Sequence, residues 1–194
     1  MRSLRLCFWI VVPSLLATPV LAHTGGVSGG FVGGFAHPLF GLDHVLAMLA
    51  VGLWGAFLGA PGIFILPIVF PLVMAFGGVL GILNVPLLGT EAAIAISAVV
   101  LGLMVALAAR LPIWMASVVV GAFAIFHGYA HGAELPAGAD AVVYCVGFVI
   151  ATGLLHVSGI ALGLTVRWPV GNIGVRGAGA AITCAGIVFL WRLA

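Results

Sequence analysis

The sequence has no lysine, and its six basic residues are all arginine. Without a glycine-rich loop ending in Gly-Lys, the chain cannot cradle ATP as P-loop proteins do. Without a basic patch it has no footprint for nucleic acid. Charge of either sign is scarce: 5% of the 194 residues are charged, whereas a soluble domain carries about 25%. Such a chain could not cover a water-facing surface. Its 64% hydrophobic composition and mean hydropathy of +1.40 point to an integral membrane protein of one compact domain. Cysteine is equally sparse. Cys7, Cys145 and Cys184 show neither paired nor metal-knuckle spacing, so no disulfide framework is expected. The latter two lie in apolar segments and are expected as small core residues.

What is present begins with an expected removable leader. In residues 1–22, Arg2 and Arg5 form a basic n-region, LCFWIVVPSLLA an apolar stretch, and Val20-Leu21-Ala22 a small-residue cleavage site. An uncleaved first transmembrane helix is the alternative. No cysteine follows the cut, so no lipoprotein anchor is expected. Cleavage would start the mature domain, residues 23–194, at His23 on the periplasmic side of a bacterial inner membrane. Residues 23–36, HTGGVSGGFVGGFA, hold six glycines and are expected as a flexible outer lead-in.

Six apolar spans follow, at roughly 38–59, 62–83, 91–109, 111–132, 141–165 and 172–192, each near the ~20 residues a bilayer requires. The expected fold is therefore all-α, a polytopic bundle of six transmembrane helices. Pro38 suits a first helical position, and Pro67 with Pro71 predict a kink in the second span. With the mature N-terminus outside, Arg110, Arg167 and Arg176 fall near the cytoplasmic face and Arg192 is the exception. Small residues recur at Gly55/Gly59, Gly77/Gly81, Gly128/Gly132 and Gly159/Gly163, as close helix packing in lipid requires. No inverted repeat of three spans against three is visible.

On that topology the polar residues converge. HPLFGLDHVLAM places His37, Asp43 and His44 in the outer half of the first span, with His37 and His44 on nearly one helical face. Met48 extends that stripe, as a core residue or a soft ligand. Glu91 opens the third span, where it could serve the site or simply complement the helix dipole. FHGYAHGAE ends the fourth span and sets His127, His131 and Glu134 in one stripe. Asp140 begins the fifth span. Every acid thus lies near one membrane face, with five of the six histidines, His23 included.

An isolated Asp in mid-membrane costs ~2.5–3.5 kcal/mol on insertion scales, so Asp43 needs a partner or a cation. Imidazole with carboxylate is a ligand set for zinc, nickel, copper and iron. His127 and His131 at i, i+4 can converge on one ion, and His37 and His44 could meet them from the facing span. Asp43 could ligate directly or fix an imidazole tautomer. His156 lies deeper, in GFVIATGLLH, either as a second stop on a path across the membrane or hydrogen-bonded to Thr152.

The block HPLFGLDHVLAMLAVGLWGA resembles the signature of the HupE/UreJ family, membrane proteins associated with hydrogenase and urease systems and described as nickel or cobalt permeases. FHGYAHGAELP is similar to that family's fourth-span motif and GFVIATGLLHVSGI to its fifth. The resemblance implies that His37, Asp43 and His44 are first-span metal residues, with His127, His131 and Glu134 their fourth-span counterparts and Glu91 a further carboxylate. A second group of larger nickel/cobalt transporters uses His-x4-Asp-His. Five residues separate His37 from Asp43 here, which departs from that pattern.

The expected function is a secondary permease for Ni²⁺ or Co²⁺. The ion would be cargo, with no tightly bound cofactor, and His23 would help to catch it at the mouth. The partners would be the ion, the lipid bilayer and, functionally, hydrogenase or urease maturation; homo-oligomers are left open. The rivals are an intramembrane zinc-dependent hydrolase and a bis-histidine haem protein.

Overall fold

The computed structural model describes residues 30–136 and 138–194, so the expected signal peptide and His23 lie outside the described residues. The chain order is α1 (Phe31–Phe40), α2 (Leu42–Leu58), α3 (Ala60–Ile82), α4 (Thr90–Ala106), α5 (Ile113–Ala133), α6 (Ala141–Gly163), a 3-10 turn (Leu164–Arg167) and α7 (Pro169–Leu193). No strand occurs among the described residues. A helix satisfies its own backbone groups, which is what a chain of this hydropathy must do in lipid.

Four segments are long and apolar enough to cross a bilayer: α3, α5, α6 with the turn after it, and α7. The first expected span is a broken pair rather than one straight helix. α1 and α2 meet at 84° across Gly41, whose backbone is extended at φ −87° and ψ 105°. Pro38 accordingly sits inside α1 and not at a first helical turn. The third expected span, α4, has 17 residues, which at 1.5 Å each gives about 25 Å against a ~30 Å hydrocarbon core. α3 continues through Pro67 and Pro71 without interruption.

The glycine-rich lead-in is helical from Phe31, contrary to the expected flexibility. Its glycines serve contact. A Cβ on Gly34 would run into the Tyr144 carbonyl, and one on Gly147 would run into that of Phe31, so α1 and α6 touch backbone to backbone. The same device joins the other helices. Gly77 and Gly81 of α3 rest on the carbonyls of Ile125 and Tyr129, while Gly128 and Gly132 of α5 rest on those of Met74 and Gly78. Gly159 and Gly163 of α6 lie against α2. Gly59 is different: its φ of 80° makes the turn between α2 and α3.

α2 is the central helix, packed on α3, α4, α6 and α7. Met48, Val51 and Trp54 are fully buried there, so Met48 is a core residue. Outward faces remain apolar, as Ile68, Leu72 and Phe76 of α3 show. Cys145 and Cys184 also face outward, correcting their expected place in the core. Lipid solvates a small sulfur side chain well enough that burial gains little. At one end of the bundle the Trp54 indole N–H donates to the Ala109 carbonyl at 2.8 Å, and Arg176 Nε–H donates to that of Ala106 at 2.8 Å. Four of the five described histidines, His37, His44, His127 and His131, gather at the other end.

Candidate metal centre

The corner at Gly41 is where the site begins. A Cβ at Gly41 would stand 2.9 Å from His44 Nδ1, so glycine leaves room for a tight pair just inside α2. There Asp43 Oδ1 accepts hydrogen bonds from the His44 backbone N–H at 2.9 Å and from His44 Nδ1 at 2.8 Å. A carboxylate can only accept, so the proton sits on Nδ1 and the lone pair on Nε2. That Nε2 is buried with no partner.

α5 supplies the opposing wall. His127 Nε2 lies 2.9 Å from Ser97 Oγ of α4. The Ser97 hydroxyl spends its one hydrogen on the Ile94 carbonyl at 2.6 Å, so it accepts from His127. The proton is therefore on Nε2, and the His127 lone pair on Nδ1 is buried without a partner. Two histidines on separate helices are thus held in fixed tautomers by a second layer of hydrogen bonds, an arrangement typical of metal ligands. Ser97→Ala is expected to weaken divalent-ion binding by about 10-fold or more, as loss of such supporting partners does, measured by calorimetric titration of the purified protein. Unchanged affinity would mean that the Ser97 bond does not orient the ligand.

His131 lies between the rings of His37 and His44, and His44 in turn touches His127. The His131 centroid is 4.4 Å from that of His44 and 4.8 Å from that of His37, while His44 and His127 are 4.8 Å apart. Both His131 nitrogens are buried and without hydrogen-bond partners. The Phe148 ring packs on it at 4.3 Å. Toward the surface, His37 Nε2 stands 3.5 Å from Glu134 Oε2. One ligand atom each from His37, His131 and Glu134 lie within 4.8 Å of one another, a span that one ion could close.

These groups enclose a cavity of about 20 Å³, lined by His37, Asp43, His44, Glu91, His131 and Glu134. Three of its carboxylates, Asp43, Glu91 and Glu134, also line a wider vestibule of about 630 Å³ at the same end, with Arg192 on its rim. Acid-lined mouths concentrate cations, and a confined inner space suits a small, partly dehydrated one. A porphyrin has no slot between imidazoles spaced 4.4 to 4.8 Å apart, which removes bis-histidine haem ligation between these rings.

All five expected metal residues, His37, Asp43, His44, His127 and His131, come together, with Glu91 and Glu134 beside them. Met48 belongs to the core, and Asp140 caps α6 by accepting from the Val142 and Val143 amides. His156 is separate: its ring packs on Phe70 at 5.3 Å, and Phe70 in turn packs on His127 at 5.5 Å. Sequence reasoning missed Ser97, Phe148 and Gly41. Only Ser97 carried a signal, as a hydroxyl fewer than two turns from Glu91 on one apolar helix.

Comparison with known proteins gives the family. The family model described as "HupE / UreJ protein" matches residues 11–189. The chain is 45% identical over 177 residues to "Protein HupE" of Rhizobium leguminosarum bv. viciae, covering 90% of this chain and 93% of that one. No solved structure matches. With nearly its whole length accounted for, the chain belongs to the HupE/UreJ family.

Proposed function

We propose that the protein is a secondary permease carrying Ni²⁺ or Co²⁺ across the bacterial inner membrane, with the histidine end periplasmic and six membrane crossings counting α1–α2 and α4. The observation that carries the reading is the pair of enforced lone pairs, His44 Nε2 and His127 Nδ1, on touching rings, with His131 packed against His44 and both its nitrogens unpartnered. In this reading the vestibule carboxylates collect the ion, and His37, His131 and Glu134 first displace its water. His131 then shares it with His44 and His127. Nitrogen and oxygen donors of this kind suit both metals. The membrane potential would drive entry at about 2.3 kcal/mol per charge per 100 mV. Family membership supports the assignment of cargo and a link to hydrogenase or urease maturation.

A hydrolase would need space beside the ion for a scissile group. The cavity's roughly 20 Å³ is close to the room for a single water, so a scissile group could approach an ion there only from the vestibule. Uptake of labelled nickel and cobalt ions by cells expressing the chain should exceed that of cells with an empty vector; equal uptake would overturn the proposal. Acid should oppose it. An imidazole must be neutral to ligate, so uptake should weaken as the medium is acidified, and uptake unchanged down to about pH 4 would contradict imidazole ligation.

A further inference from the structure

His156 and Thr152 remain unexplained by the cluster. His156 is 1% exposed and Thr152 fully buried, yet both imidazole nitrogens and the threonine hydroxyl oxygen are without hydrogen-bond partners. The alternative that His156 bonds to Thr152 is therefore not realised. Four residues apart on α6, the two side chains share one helical face. Lipid-buried polar groups without partners are costly to keep, and inside membrane bundles they mark pathways. Their position along the bundle fits that role. Phe70 of α3 packs its ring edge-to-face against both His127 and His156, and so links the two. Every acid of the chain lies at or near the histidine end, so no carboxylate occupies the depth of His156.

We propose that His156 and Thr152 form a second, weaker station for the transported divalent cation, one aromatic ring beyond the four-histidine cluster. This rests on the permease reading. A neutral imidazole and a hydroxyl are nitrogen and oxygen donors of the kind nickel and cobalt accept, and with no carboxylate beside them they hold the ion loosely. Loose holding is what a transit point needs, because conduction requires binding weak enough to release. The outer cluster sets affinity; the inner pair sets the rate of onward movement.

The test uses the purified full chain in proteoliposomes with nickel ion as the probe. His156→Phe preserves bulk but removes the donor. It is expected to slow saturated uptake by about 10-fold or more while leaving the half-saturating concentration and equilibrium nickel binding unchanged. Thr152→Val should produce a smaller loss in the same quantity. His156→Asn returns an amide oxygen near the Nδ1 position and should recover part of the rate, which restored packing alone would not do. Wild-type uptake by His156→Phe overturns the second station, as does loss of nickel binding together with transport, or an Asn variant no faster than Phe. If the wild-type chain neither binds nor moves nickel or cobalt ions, the permease reading itself falls and takes the station with it. Intact wild-type transport with an indifferent His156→Phe rejects the station alone.

Discussion

His131→Ala is expected to reduce nickel and cobalt uptake to the level of cells lacking the protein. Among the described residues His131 is the one imidazole in contact with both His37 and His44, and it lines the small cavity with its two nitrogens uncommitted. Without it, His37 and Glu134 at the mouth are cut off from His44 and His127 within. Losing a supporting partner of a metal ligand already costs about 10–100-fold in affinity, and removing the shared ligand should cost at least that much. Calorimetric titration of the purified variant would separate lost binding from lost turnover. Uptake equal to wild type would end the proposal that the cluster carries the ion. Poor folding is a smaller concern here than at Gly128, where a side chain would collide with the Met74 backbone.

Asp43→Asn should have the second-largest effect, a loss of about 10–100-fold in divalent-ion affinity with the helix pair intact. The substitution keeps size and shape. It removes the negative charge that accepts the His44 Nδ1 proton and that would balance the cation. It also lets an amide N–H₂ face Nδ1, which would move the ring proton to Nε2, the atom otherwise free to ligate. Replacing Asp by Asn beside a functional histidine is damaging elsewhere for this tautomeric reason. Affinity equal to wild type would show that Asp43 merely begins the helix.

Much of the bundle was legible because lipid imposes length and hydropathy on each crossing, and α3, α5, α6 and α7 follow those demands. The site was legible for a related reason. Ionisable groups are so costly in hydrocarbon that their sequence positions alone reveal where they must meet. What stayed hidden depends on tertiary contact. Gly34 reads as flexible until α6 is placed against it, since the same residue that loosens a free chain also permits backbone contact. A rule suited to water places Cys145 and Cys184 inward, whereas in lipid an outward apolar face carries no penalty. Ser97 orients His127 across 30 positions of sequence, a pairing that no local pattern encodes.

The bend at Gly41 changes what the interval between His37 and Asp43 measures. Along a continuous helix, His37 and His44 would be displaced by about 10 Å along the axis. Around the elbow, both imidazoles instead reach the same third ring. Counting residues across an elbow says nothing about helical phase. A relative with one residue fewer in that interval can therefore present the same donors to the same guest, provided its chain turns there too.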